Sequence, residues 1–185
     1  MTKIMIDAGH GPDTAGKRSP DGALREFSFN SVVADLVKQY LIEEGVTVIF
    51  AHKAREDVPL AARTKLANNM KVDAFVSIHA NAFGGNWNNA NGIETFIYPT
   101  ASKESSALAA LIQNSLVTAC NRTDRGVKKA DYAVLRDTRM PAVLLECGFM
   151  TNREEALLLM KKAYRIQCAK AIAFAITAWV YRGKK

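Results

Sequence analysis

Apolar and polar positions follow two periods along this chain, dividing it into short strands and amphipathic helices. Lys3-Ile-Met-Ile-Asp7 is a brief apolar run ending in Ala8-Gly9-His10-Gly11, which predicts a strand feeding a glycine-rich loop. Pro12, Gly16, Pro20 and Gly22 keep residues 12–25 in a loop. From Glu26 to Glu44, the apolar residues Phe29, Val32, Val33, Leu36, Val37, Tyr40 and Leu41 recur at three and four. That spacing predicts one buried helical face, stopped by Gly45. Val46 to Phe50 reads as a second strand, Leu60 to Met70 as a helix, and Asp73 to Ile78 as a buried strand. Asn81 to Gly92 is a long loop of turn formers. Ile93 to Tyr98 then predicts a strand, and Ser102 to Cys120 a helix with Ser102 as N-cap. Asn121 to Arg139 reads as irregular and polar, with one short strand at Tyr132 to Leu135. Ala142 to Leu145 is a buried strand, and Arg153 to Val180 one long helical stretch.

Strands alternating with helices predict an α/β fold: a single domain with a largely parallel, twisted sheet of about six strands and helices on both faces. The 185 residues suffice for one core, and 49% hydrophobic with 23% charged residues excludes disorder. The net charge of +7 is less informative than its position. Seven basic residues and no acid fall between Lys161 and Lys185, which leaves residues 1–160 neutral. A basic face for nucleic acid is therefore not expected on the body. The segment from Asn121 to Arg139 has a basic excess but only Tyr132 as an aromatic, too few for a stacking platform. Cys120, Cys147 and Cys168 are too few and irregularly spaced for a disulfide framework, so free, buried thiols are expected.

The run after Lys3 is too short for a signal sequence, and Ala171 to Val180 falls well short of the roughly 20 apolar residues that span a bilayer. A chain cytoplasmic as synthesised, monomeric and not inserted in membranes is expected. Gly11-Pro-Asp-Thr-Ala-Gly16-Lys17 has the spacing of a phosphate-binding loop. Arg18 stands where a magnesium-holding hydroxyl belongs, and Pro20 and Gly22 prevent the helix that should follow.

Sites in such sheets form at the carboxyl ends of strands, which directs attention to His10, His79 and Glu146. Two histidines with Glu26, at the first turn of a helix, would satisfy the three-ligand requirement of a catalytic zinc. Glu146, after Val143-Leu-Leu145, is placed to shuttle protons. Each residue also has a plainer account. Either histidine fits a hydrogen-bonded loop residue, Glu26 a helix-start carboxylate, and Glu146 a partner for Arg136 or Arg139. His52, among charged neighbours, reads as a solvated surface residue. Phe83 and Trp87 fit either sugar stacking or pinning of their loop.

Taken in order, Asp7-Ala-Gly-His10-Gly11, Glu26 with Asn30, Leu60-Ala-Ala-Arg63 with Ala67-Asn68, Ser77-Ile-His79-Ala-Asn81, Thr123-Asp-Arg125-Gly126 and Pro141-Ala-Val-Leu-Leu-Glu146-Cys-Gly-Phe149 form a recognisable set. The chain resembles the zinc-dependent N-acetylmuramoyl-L-alanine amidases of the Amidase_3 type, found as autolysins, sporulation hydrolases and phage endolysins. The resemblance runs from about Lys3 to about Val180. It implies a catalytic domain over residues 1–180, with 181–185 as a basic tail or linker start. It also implies His10, Glu26 and His79 as ligands of one catalytic Zn2+, and Glu146 as the catalytic carboxylate. Asn81, Arg125 and Leu135 are the implied substrate-binding positions, and peptidoglycan is the implied partner. The chain departs from the common family pattern at His52, where an Arg is usual, and at Ala133, where a His is frequent. A non-catalytic wall-binding or regulatory module of the same fold is the alternative; loss of a ligand or of the carboxylate would mark it, and all four are present.

Overall fold

The computed structural model describes residues 2–182. In chain order the elements are β1 (Lys3–Ala8), α1 (Glu26–Glu43), β2 (Thr47–Phe50), α2 (Leu60–Met70), β3 (Ala74–Asn81), β4 (Ile93–Ile97), α3 (Lys103–Cys120), β5 (Asp124–Lys129), α4 (Ala133–Arg136), β6 (Ala142–Phe149), α5 (Arg153–Met160) and α6 (Lys162–Tyr181). The strands form one six-stranded sheet ordered β2-β1-β3-β6-β4-β5. Only β4 against β6 is antiparallel. The expected α/β class and largely parallel sheet are therefore present.

The period of two in the strands sorts side chains between unequal layers. Ile4, Ile6, Val76, Ile78, Val143 and Leu145 face a thick layer that includes Phe29, Val33 and Val37 of α1, Leu108, Ile112 and Leu116 of α3, and Ile172 and Ile176 of α6. Met5, Phe75 and Leu144 face the other way, toward Ala67 of α2 and Val134 and Leu135 of α4. Asp7, Ser77, His79 and Glu146 share the parity of this second set, so the thinly covered face carries the polar side chains. From β1 the chain builds to one side with β2 and then to the other with β3. The order thus reverses between β1 and β3, where open α/β sheets leave a crevice.

Several expectations need correcting. Asp124–Lys129 is an edge strand rather than irregular chain; it is mostly exposed and has charged pairs on both sides of Gly126-Val127, so it lacks an apolar stripe. Residues 133–136 form one helical turn, not a strand. Val134 and Leu135 are both buried, and adjacent side chains of a strand would point to opposite faces. The long last helix is two: Lys161 is extended (ψ 130°), and Arg165 Nε donates to the Leu159 carbonyl at the end of α5. His52 is 9% exposed rather than solvated. Its ring lies against Phe50 and Phe27, and its Nδ1 accepts from the Ala8 N–H at 3.0 Å, one step beyond the β1–β2 ladder. Burial pushes its pKa down, which keeps that acceptor free.

Two local expectations hold. Ser102 caps α3 by accepting from Ser105 N, and all three cysteines are buried and free. Among the described residues no helix is long and apolar enough to cross a membrane. In the basic C-terminal segment, Arg182 pairs with Glu104 and lies over the Trp179 ring. The expected tail at 181–185 falls partly outside the described residues, at 183–185.

Candidate active site

Three separate backbone devices converge on the crevice. β1 ends at Ala8, and His10 follows in the left-handed region (φ 64°), where Arg63 Nη2 donates to its carbonyl at 2.6 Å. The loop of residues 12–25 folds back so that Glu26 N–H donates to the Lys17 carbonyl at 3.0 Å and α1 starts with its carboxylate inward. β3 runs beyond its apolar stretch to deliver His79 opposite Glu146 of β6. Gly9 makes the close approach possible: a Cβ there would lie 2.0–2.4 Å from three atoms of the His79 ring.

The result is a compact donor cluster. His79 Nδ1 lies 2.9 Å from Glu26 Oε1, and His10 Nε2 lies 3.2 Å from Glu26 Oε2. One donor atom from each of the three residues falls within 4.8 Å of the others. The imidazole rings meet edge to face at 5.0 Å. Glu26 is 3% exposed, and the Ala80 N–H also donates to its Oε1. Burial pushes its pKa up, but the two imidazoles set against its oxygens outweigh that and hold the carboxyl well below the usual range.

The donor chemistry fits a dication. Ser77 Oγ lies 3.0 Å from His79 Nε2 and gives its own proton to Asp7 Oδ2 at 2.7 Å. A hydroxyl has one proton, so toward His79 it accepts, and the ring proton sits on Nε2. Nδ1 then faces the Glu26 carboxylate with a lone pair, and two such atoms 2.9 Å apart need a cation at the site: a second ring proton or a metal ion. Bonds of roughly 2.1 Å at a tetrahedral metal place adjacent ligand atoms about 3.4 Å apart, near the 2.9 Å and 3.2 Å that separate Glu26 from the two imidazoles.

Glu146 stands apart chemically. Its Oε2 is buried with no hydrogen-bond partner in the protein. Burial, then the neighbouring negative charges of Glu26 and Glu94, raise its pKa well above the ordinary carboxyl value. Neither Arg136 nor Arg139 pairs with it; Arg136 holds Asp131 and Asp137. Glu146, the three donor residues, Lys17, Asn81 and Tyr132 line one cleft of about 700 Å³.

The other expected site residues separate. Asn81 lines the cleft and donates to Glu94 Oε1 at 2.7 Å. Arg125 is one layer away, bonded to Glu94 Oε2 and lying over the Phe149 ring, and is not in the cleft wall. Leu135 is 4% exposed and packs in the smaller core, so its side chain is structural. Trp87 is covered by Arg153, with the guanidinium 4.6 Å from the ring centre, whereas Phe83 is 69% exposed on a loop next to the cleft. Lys17 and Tyr132 went unrecognised as cleft residues; Lys17 sits in the glycine-rich loop, which was the available signal.

A family model described as N-acetylmuramoyl-L-alanine amidase, Amidase_3, matches residues 4–178. The chain belongs to the Amidase_3 family. Among its relatives, N-acetylmuramoyl-L-alanine amidase CwlM of Bacillus licheniformis is 34% identical over 166 residues, covering 89% of this chain and 63% of that protein. The sporulation-specific N-acetylmuramoyl-L-alanine amidase of Bacillus subtilis is 34% identical over 158 residues, 84% of this chain and 59% of that one. The chain thus spans about three fifths of those two proteins. The catalytic domain of CwlV from Bacillus (Paenibacillus) polymyxa superposes with a TM-score of 0.90 at 34% identity, covering 97% of this chain and 98% of that domain.

Proposed function

We propose that this chain is a zinc-dependent N-acetylmuramoyl-L-alanine amidase, hydrolysing the amide between the lactyl group of N-acetylmuramic acid and the L-alanine of the stem peptide. One observation carries the reading: His10, Glu26 and His79 gather their donor atoms beside Glu146, whose buried Oε2 has no hydrogen-bond partner. Two nitrogens and one carboxylate oxygen match a catalytic rather than a structural zinc, which leaves a coordination position for water or substrate. Zinc bound there would supply Lewis-acid polarisation of the scissile carbonyl and lower the pKa of water.

The protein's own groups account for the rest. Glu26, with both oxygens engaged by the histidines, contributes fixed negative charge. Glu146 Oε2 takes the proton of the attacking water and returns one to the departing alanine nitrogen. A carboxyl that burial and like charge make reluctant to ionise suits this exchange, because a nearby dication would favour its ionised form. Lys17 and Asn81 offer donors in the cleft wall for the glycan–peptide junction. The family match supports a catalytic unit of about residues 1–180.

Incubation with purified peptidoglycan tests the assignment. Free N-terminal alanine should appear without new reducing sugar, stop on chelation and return with added zinc. New reducing ends, or alanine release indifferent to chelation, overturn it.

A further inference from the structure

Asp7 and Arg63 are buried, charged and outside the donor cluster, yet they join both histidines. Arg63, 1% exposed, reaches across from α2 to the carboxyl end of β1. Its Nη1 donates to Asp7 Oδ1 at 2.6 Å and to the Ala8 carbonyl at 2.7 Å, and its Nη2 to the His10 carbonyl at 2.6 Å. Its Nε donates to the Val58 carbonyl, and a longer Nη2 contact reaches Asp57. Asp7 Oδ1 is thereby engaged, and Oδ2 accepts from Ser77, directly opposite in the β1–β3 register. Ser77 Oγ in turn meets His79 Nε2.

We propose that Arg63, Asp7 and Ser77 form a buried positioning relay that holds the His79 ring proton on Nε2 and presents Nδ1 to the metal, while the Arg63 bond to the His10 carbonyl fixes the second histidine. This rests on the reading of the cluster as a zinc site. The direction of every bond follows from donor inventory alone. A guanidinium has only donors, so Asp7 must accept on Oδ1. A carboxylate has no proton, so Ser77 must donate to Oδ2. Ser77 then has only lone pairs left for His79. The tautomer of a histidine ligand is set by the hydrogen bond at its other nitrogen.

An isosteric substitution should reverse the chain. In Asp7→Asn, Arg63 still demands an acceptor, which turns the amide oxygen toward it and the NH2 toward Ser77. Ser77 then accepts from Asn and donates to His79 Nε2, so the ring proton moves to Nδ1, the atom that must bind the metal. Zinc affinity should fall about 100-fold, whereas Ser77→Ala, which only removes the acceptor at Nε2, should cost about tenfold. The double variant Asp7→Asn with Ser77→Ala cannot impose the wrong tautomer, so it should bind zinc about tenfold more tightly than Asp7→Asn alone.

Competition with a chromophoric chelator on the full chain measures these affinities, and the melting of the zinc-free variants checks that each is folded. A merely structural role predicts the opposite for the double variant, because two defects in one buried network would weaken it further. Asp7→Asn affinity within twofold of wild type, or no recovery in the double variant, overturns the relay. Should Asp7→Asn not fold, Ser77→Ala decides: an unchanged affinity overturns the relay and a tenfold loss upholds it. A wild-type chain that takes up no zinc overturns the metal-site reading and the relay together. Normal uptake with indifferent variants overturns the relay alone.

Discussion

Gly9→Ala isolates the geometry of the site from the stability of the fold. A methyl group at residue 9 would stand 2.0 Å from His79 Cε1, 2.2 Å from Nε2 and 2.4 Å from Nδ1. Non-bonded carbon contacts settle at about 3.5–4.0 Å, so the ring must retreat by about 1.5 Å. Metal–ligand bonds tolerate only about 0.2 Å, so His79 leaves the ligand set and the site keeps two donors of three. Perturbing an outer partner of a ligand costs about 10–100-fold in metal affinity; displacing the ligand itself should cost more than about 100-fold. The fold should survive. Gly9 is not among the residues with positive φ, so alanine adds no backbone strain. Overpacking one methyl costs about 1–3 kcal/mol against a total of about 5–15 kcal/mol. Chelator competition and zinc-free melting separate the two effects. Gly85→Ala, whose added Cβ meets nothing within 4 Å, is the matched control and should change neither reading. Zinc binding by Gly9→Ala within tenfold of wild type would refute the reasoning.

The remaining predictions concern Glu146 and His52. Glu146→Gln should keep zinc and lose a factor of about 10²–10⁴ in alanine release, or about 2.7–5.5 kcal/mol of barrier; wild-type turnover by this variant would remove Glu146 from the chemistry. In the zinc-free protein the raised Glu146 pKa contributes stability that is present below the ordinary value of 4.5 and lost as pH rises through the folded value. Urea midpoints against pH should therefore fall less steeply above 4.5 for Glu146→Gln than for wild type, and equal slopes would contradict the assignment. His52→Phe leaves the buried Ala8 N–H without an acceptor and should cost about 1–3 kcal/mol in urea unfolding. Because burial lowers the His52 pKa from 6.5, wild type should lose stability as pH falls through and below that value, and His52→Phe should lack this slope.

Three of the four central residues were legible because they obey a placement rule that uses only local pattern; Glu26, at the first turn of α1, does not. A strand read from its apolar run has a known end, and His10, His79 and Glu146 stand at or near such ends. The relay was not legible, although its words were visible. Asp7 and Ser77 are 70 positions apart and Asp7 and Arg63 are 56 apart, so their pairing depends on strand register and on how α2 lies across β1. In sequence, Arg63 looks like any cation on a short helix. His52 misled for a related reason: its charged neighbours Lys53, Arg55 and Glu56 are exposed, but its own ring turns inward between two phenylalanines. β5 gave no apolar stripe because an edge strand buries little, and the break at Lys161 carries neither glycine nor proline.

Register also sets the surroundings of three neighbouring carboxyls apart. His79, Glu146 and Glu94 lie side by side across β3, β6 and β4, and Glu26 approaches the same row from α1. Loss of hydration pushes the pKa of each of Glu26, Glu94 and Glu146 upward. The groups set against each carboxyl separate them. Glu26 has two imidazoles and the Ala80 N–H, and these hold it ionised against burial. Glu94 has Asn81, Arg125 and Lys128, and the last two likewise carry it below its ordinary pKa. Glu146 Oε2 has none, and both neighbours add negative charge beside it. Groups whose environments drive their pKa values apart divide into fixed charges and proton carriers.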